Sequence, residues 1–179
     1  MVKSAYSFET KKEKIENYVI VVWVDNESGV LARVVGLFSG RGYNIDSLTV
    51  AEIDKKKNIS RITITTSGTP QVVQQIKLQL GKLVPVHKVA DFPWNKKTIL
   101  REMALLKVVS SKAKLEKAKK LCKKYTYNFL DKTEKSYVFE VSALKKEIDE
   151  LIKKLQPLGL ASVSRTGVVA MTKGFEVYK

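Results

Sequence analysis

The fold is decided by the stretch Asp25-Asn26-Glu27-Ser28-Gly29-Val30-Leu31-Ala32-Arg33-Val34, which follows directly on the apolar run 18–24. This order predicts a strand, a tight polar turn and then a helix. Such a turn leaves the first N–H groups of the helix without partners, and they point at whatever lies in front of it. The position suits an anion, for instance the carboxylate of a free amino acid. Alternatively, Asp25, Asn26 and Ser28 only cap the helix with their side chains.

The chain has 179 residues, 44% of them hydrophobic, which is enough for one large domain or two small ones. No apolar run approaches the roughly 20 residues of a membrane helix. Residues 1–17 are rich in charge and lack the apolar centre of a secretion signal. We therefore expect a cytoplasmic protein with a charged lead-in and no membrane partner.

The single cysteine and the single histidine argue against hydrolytic catalysis and against a metal site. Cys122 excludes an internal disulfide, and it shares a helical stripe with Leu115, Ala118 and Leu121, so a buried hydrophobe is expected rather than a nucleophile. His87 lies in an alternating strand with no second His or Cys nearby, so no metal site is expected. A G-x-S-x-G nucleophile motif is absent. Hydrolytic catalysis therefore finds little support, and we assign no catalytic residues.

The positive charge is concentrated in the second half. Residues 96–179 carry 20 basic and nine acidic side chains, whereas residues 18–95 carry nine and six. This imbalance suggests an acidic partner surface or nucleic acid. A solvated lysine coat that keeps the protein in solution is the alternative.

The first half alternates strands and helices. Apolar spacing predicts a helix that starts at Val30 and a second helix capped by Thr69 with Pro70 in its first turn. The order βαββαβ is the ferredoxin-like arrangement. The predicted elements are strand 18–24, helix 30–38, strand 43–53, a strand around 60–65 that is exposed on one face, a helix from 70, and strand 84–91.

The same order returns after a break at 93–100, which predicts a linker. The fold class is therefore α+β, with two ferredoxin-like βαββαβ sandwiches in tandem, each a four-stranded antiparallel sheet with two helices on one face and the other face bare. We divide the chain into lead-in 1–17, first domain 18–92, linker 93–100 and second domain 101–179. The second set of predicted elements is strand 102–109, helix 111–124, strands 125–130 and 136–141, helix 144–155 and strand 160–165.

In this fold the second strand, 43–53, lies at an edge of its sheet. Apolar residues occur on both of its faces, and an exposed edge of that kind favours pairing with another strand. Pairing with the same edge of a second copy gives a two-fold symmetric homodimer. The alternative is that the linker or the second half covers this edge.

The motifs also resemble a known family. Residues 25–31 and 36–50 are similar to the ACT domain of the small, regulatory subunit of acetolactate synthase, also called acetohydroxyacid synthase. The similarity covers nearly the whole chain after residue 17. It continues through residues 60–64, 75–84, 101–107 and 164–170.

The resemblance implies a regulatory subunit that binds valine and has no cofactor of its own. It implies a separate catalytic large subunit, which carries thiamine diphosphate, FAD and Mg and makes acetolactate for the synthesis of branched-chain amino acids. The regulatory chain is expected to activate that subunit and to confer feedback inhibition. By the same resemblance, the ACT half dimerises and holds valine, and the second half helps to engage the catalytic subunit.

The resemblance also carries an effector role onto six residues of the first half. The N–H groups near Gly29 suit the valine carboxylate, because glycine has no Cβ in the way. An ammonium acceptor and an apolar wall are expected partly from a second copy. The six residues are Asn26, Gly29, Val30, Leu31, Asn44 and Ile45.

Two other functions compete. RNA recognition motifs share the βαββαβ order, and residues 135–141 partly match their stacking-aromatic consensus. Val138 and Ser142 depart from that consensus, and strand 103–107 offers no aromatic side chain, so packing of the aromatics is favoured and nucleic acid is not expected as a partner. A free-standing amino-acid sensor without an enzyme partner is the second alternative.

Overall fold

The first half folds as the predicted βαββαβ unit. The computed structural model describes residues 14–92 and 98–175. Its first sheet is antiparallel, with the strand order β2-β3-β1-β4, so β2 lies at an edge as predicted. Both helices pack on one face, where Ile20, Phe38 and Ile76 are among the buried residues. The elements are β1 (Glu16–Asp25), α1 (Val30–Ser39), β2 (Ser47–Asp54), β3 (Ile59–Gly68), α2 (Pro70–Leu80) and β4 (Val86–Phe92).

The second half repeats this order and adds one strand. Its strands run in the order β6-β7-β5-β8, and a short ninth strand pairs with the beginning of β5. The helices cover one face around a core that contains Leu106, Phe139 and Leu151. The tandem α+β prediction is therefore confirmed. The elements are β5 (Thr98–Val109), α3 (Lys112–Cys122), β6 (Thr126–Lys132), β7 (Ser136–Ala143), α4 (Lys145–Leu155), a 3-10 turn (Gln156–Leu158), β8 (Leu160–Arg165) and β9 (Val169–Thr172).

Some predicted boundaries were wrong. The last three residues of the predicted linker 93–100 belong to β5, because they form a ladder with β9. Strand β2 begins at Ser47 rather than at Tyr43, since the amide N–H of Tyr43 closes the end of α1 on the carbonyl of Phe38. The lead-in before residue 14 and linker residues 93–97 lie outside the described residues.

The prediction of a bare sheet face was also wrong for the first half. The ribbon formed by β9 and the first residues of β5, hereafter the β5–β9 ribbon, packs on that face, and Thr63 and Thr65 of β3 are buried there. The ribbon and the loop before it contribute three buried side chains to this contact. The buried apolar residues between the two halves are Val19, Val21, Trp23, Ala90 and Phe92 from the first half and Leu100, Val168 and Ala170 from the second.

Polar contacts fix the same junction from the side of β2. The hydroxyl of Thr49 donates to the carbonyl of Thr166 at 3.0 Å, and the N–H of Val168 lies 3.5 Å from the Ser47 hydroxyl oxygen. Gly167 turns between them with φ of 82°, and a Cβ there would lie 3.0 Å from the Thr49 hydroxyl. The two halves are thus joined by apolar burial and by hydrogen bonds from side-chain hydroxyls to backbone groups.

A tight crossing in the second half gives a testable prediction. Gly159 has φ of 98°, and a Cβ at this position would lie 2.4 Å from the carbonyl oxygen of Val109. Gly159→Ala should therefore lower the free energy of unfolding by about 3 kcal/mol, from backbone strain and overlap together. Urea denaturation followed by circular dichroism measures the loss.

The matched control is Gly174→Ala. Its φ of 75° is also positive, but a Cβ there meets no described atom within 4 Å. We expect a loss of about 1 kcal/mol from conformation alone. Equal losses in the two variants would show that the contact with Val109 does not matter.

Candidate effector site

The turn between β1 and α1 is exposed to the solvent and leaves backbone N–H groups open at the start of the helix. Gly29 is the N-cap of α1 and has φ of 84°, a left-handed conformation that glycine adopts without strain. A Cβ at Gly29 would meet no described atom within 4 Å, so the space in front of the helix is open. The N–H of Val30 reaches the carbonyl of Glu27 only at 3.4 Å, and the N–H groups of Leu31 and Ala32 have no acceptor within the helix.

The side chains of this turn are tied to neighbouring strands. The Ser60 hydroxyl donates to Asn26 Oδ1 at 3.0 Å, and Asp25 Oδ1 lies 2.6 Å from His87 Nε2. No side chain of the described residues caps α1. The capping interpretation of Asp25, Asn26 and Ser28 was therefore wrong, because two of the three side chains hold the turn against β3 and β4 instead.

Val30, Leu31 and Ile45 differ in what they offer to a ligand. The Val30 side chain is 4% exposed and belongs to the core of the first half, so only its backbone faces the opening. The Leu31 side chain is 42% exposed and is free to contact a small apolar group. Ile45 is partly buried against the same core.

Asn44 and Asp46 form a polar corner before β2. The side-chain amide of Asn44 donates to Asp46 Oδ1 at 2.6 Å, and the Asn44 carbonyl accepts from the Thr66 hydroxyl at 2.7 Å. The Asn44 side-chain oxygen is by its chemistry an acceptor. Asp46 adds a carboxylate that sequence reasoning did not assign, although its position two residues after Asn44 was a signal.

The structure does not bring the two parts of the predicted site together within one chain. Asn26 is held beside Ser60 and Asn44 beside Thr66, both on β3. Six residues of an extended strand span roughly 20 Å. The β1–α1 turn and the Asn44 corner therefore lie at opposite ends of the sheet.

Comparison with known proteins identifies the family. Residues 20–88 match the model of the AHAS small subunit-like ACT domain, and residues 101–174 match the model of the small subunit of acetolactate synthase. The acetolactate synthase small subunit of Haemophilus influenzae is 38% identical over 157 residues, which cover 87% of this chain and 95% of the relative. This chain belongs to the acetolactate synthase small subunit family. The expectation from residues 25–50 is confirmed.

Further relatives support the assignment along the whole chain. The small subunit of Aquifex aeolicus is 35% identical over 171 residues, covering 94% of this chain and 88% of the relative. The crystal structure of the small subunit from Thermotoga maritima superposes with a TM-score of 0.81 at 30% identity, over 90% of this chain and 99% of that one. The first half is therefore an ACT domain, and membership of this family implies a catalytic subunit as partner.

The residues that suggested other functions are buried or packed in the core of this fold. Phe139 and Tyr137 are buried, and Phe129 packs against them with ring centroids 5.0 and 5.3 Å away, so packing of the aromatics is confirmed. Cys122 is buried as predicted, and burial raises the pKa of its thiol to about 12. Within residues 14–92 and 98–175 no cluster of metal-ligating side chains occurs and no helix is long and apolar enough to cross a membrane.

The two helix starts of the ACT domain give a prediction. Thr69 caps α2 by accepting from the N–H of Val72, whereas Ser28 does not cap α1. Thr69→Ala should cost about 1 kcal/mol of stability, and Ser28→Ala should cost less than about 0.5 kcal/mol. Urea unfolding of both variants measures the difference. A larger loss at Ser28 would restore the capping interpretation.

Proposed function

We propose that this chain is the regulatory subunit of an acetolactate synthase and binds valine between the ACT domains of two copies. The observation that carries the proposal is the separation of the β1–α1 turn from the Asn44 corner along β3. A valine molecule is too small to span roughly 20 Å within one chain, so a second copy has to supply the missing half.

The order of strands supports a dimer that does this. β2 begins beside Thr65 and ends beside Ile59 of β3. Antiparallel pairing of two β2 edges would put the beginning of one β2 next to the end of the other. The Asn44 corner of each copy would then lie beside the β1–α1 turn of its partner, which is held at the Ile59 end. A two-fold axis would generate two equivalent sites.

The exposed surface of β2 suits such pairing. Within the described residues no strand pairs with the outer edge of β2. Val50 is 41% exposed and Ile53 is 52% exposed on this short strand. An unprotected apolar edge favours addition of a further strand.

The groups at the two ends of the sheet match a small zwitterion. The N–H groups at the start of α1 favour the carboxylate of valine, and the absence of a Cβ at Gly29 allows close approach. The Asn44 oxygen and the Asp46 carboxylate favour the ammonium group. The exposed Leu31 side chain offers an apolar contact to the isopropyl group.

Regulation follows if valine alters how the two copies are held together. Feedback control needs a coupling free energy of about 1–3 kcal/mol, which a ligand that bridges two chains supplies without touching the active site. The second half, with its basic surface, engages the catalytic subunit and activates it. Thiamine diphosphate, FAD and Mg belong to that subunit, and the complex works in the cytoplasm.

A free-standing amino-acid sensor remains the alternative function. The match of residues 101–174 to the small-subunit model favours a regulatory subunit instead, because a sensor has no need of a second domain of that family. Co-purification with a catalytic subunit separates the two.

The dimer is tested at Val50. Val50→Asp places like charges near each other across the paired edges, so the dissociation constant of the dimer should rise at least about tenfold. Sedimentation velocity over a range of concentrations measures it. Leu78→Asp, at a 52% exposed position of α2, is the control and should leave dimerisation unchanged. Unchanged dimerisation of Val50→Asp would remove β2 from the interface.

The effector site is tested at Gly29. Gly29→Asp puts a carboxylate where the valine carboxylate is proposed to bind, so the valine concentration that gives half inhibition should rise at least about tenfold while activation survives. Gly29→Asn is the control, because asparagine tolerates the same left-handed conformation without the charge. The readout is acetolactate formation by the reconstituted enzyme. Full valine sensitivity of Gly29→Asp would show that the site is elsewhere.

A further inference from the structure

A second opening lies on the opposite face of the ACT sheet from the helices. It is a cavity of about 270 Å³ between the β2–β3 face and the β5–β9 ribbon. Ala51 and Ile53 of β2, Ile99 of β5 and Met171 of β9 give it an apolar wall. The charged residues among its described lining are Arg61 and Arg101, and no acidic residue lines it. The cavity is therefore largely apolar, with two cationic side chains in its lining.

Arg61 is a half-buried cation without a carboxylate. Its guanidinium carbon lies 5.6 Å from the ring centroid of Trp23 and 5.8 Å from that of Phe92. Its Nη2 donates to the carbonyl of Ala170, whereas its Nε is buried and has no hydrogen-bond partner in the part of the chain that the structure describes. Burial lowers the pKa of this guanidinium. A buried charge with an unused donor costs stability unless an anion approaches it.

Arg101, the other cation of the lining, also lacks a carboxylate partner among the described residues. Its guanidinium donates to the carbonyl of Leu100 at 2.9 Å, and neither Arg101 nor Arg61 forms an ion pair with any described residue. Arg165, by contrast, forms ion pairs with two carboxylates, those of Glu102 and Asp149, at 2.7 and 2.6 Å. The cavity arginines are thus available for an external anion.

We propose that this cavity is a second ligand site, separate from the valine site, and that it binds a short aliphatic carboxylate without an ammonium group. The two arginines would hold the carboxylate, and the apolar wall would hold a branched or straight chain of a few carbons. An amino acid is disfavoured, because the lining offers no acidic group to its ammonium. Aliphatic acids and 2-oxo acids share the required chemistry.

The site would connect the two halves of the chain. Ile53 and Arg61 belong to the ACT sheet, and Ile99, Arg101 and Met171 belong to the ribbon of the second half. A carboxylate bound here would stabilise the contact between them. The valine site instead lies at the ends of the sheet, so each site is expected to work without the other.

The test observes Met171 directly in the full-length chain labelled with ¹³C at the methionine methyl groups. Isovalerate should shift the Met171 resonance in a saturable way below about 10 mM, and the Met103 resonance should stay, because Met103 does not line the cavity. Isobutylamine, which has a similar chain and the opposite charge, should give no shift. 3-Methyl-2-oxobutanoate distinguishes the two classes of ligand. Tighter binding than isovalerate identifies 2-oxo acids as the preferred ligands, and equal binding identifies aliphatic acids in general.

Variants separate this site from the valine site. Arg101→Gln, at an exposed position, should weaken isovalerate binding about tenfold, and Arg61→Gln should do the same if it folds. Lys120→Gln on α3 removes the same charge elsewhere and should bind normally.

Gly29→Asp should still bind isovalerate, and Arg101→Gln should keep its valine response, so failure of one site leaves the other testable. No Met171 shift, an equal shift with isobutylamine, or unchanged binding by Arg101→Gln would overturn the proposal.

Discussion

Burial of the β5–β9 ribbon against the ACT sheet is the contact on which the rest of the molecule depends. A four-stranded sheet with helices on one face leaves apolar side chains such as Trp23 and Phe92 on the other face. The ribbon covers them with Leu100, Val168 and Ala170, so the two halves share one buried apolar cluster. Removing this area from water stabilises the junction at roughly 25 cal/mol per Å². The two sandwiches are therefore packed against each other and are not joined by the linker alone.

Covering that face decides how the ACT domain can meet other molecules. One face of the sheet carries helices and the other carries the ribbon, whereas the outer edge of β2 has no partner strand among the described residues. The same strand also holds the second half through Ser47 and Thr49. In the dimer that we propose, a change in how β2 is held by a second copy would act on groups that contact the second domain directly. That would give a short physical route between the proposed effector site and a partner of the second half.

The strongly periodic elements were predictable from sequence, and the tertiary partners were not. The order of strands and helices and the edge position of β2 follow from apolar spacing and turn residues. The capping interpretation failed because Asn26 and Asp25 find partners on strands that are distant along the chain, Ser60 and His87. The ribbon strand β9 has only four residues, and it pairs with β5 where both pack against the ACT sheet.

The sequence by itself determined the tandem ferredoxin-like fold, the family and the glycine turn at Gly29, because these depend on local periodicity and short motifs. Only the tertiary structure decided that the β1–α1 turn and the Asn44 corner lie at opposite ends of β3. It alone placed Arg61 and Arg101 around one cavity without a carboxylate. The physical reason is that strand register and packing between the halves set the distances between residues far apart in the chain. Neither can be derived from any single segment of the sequence.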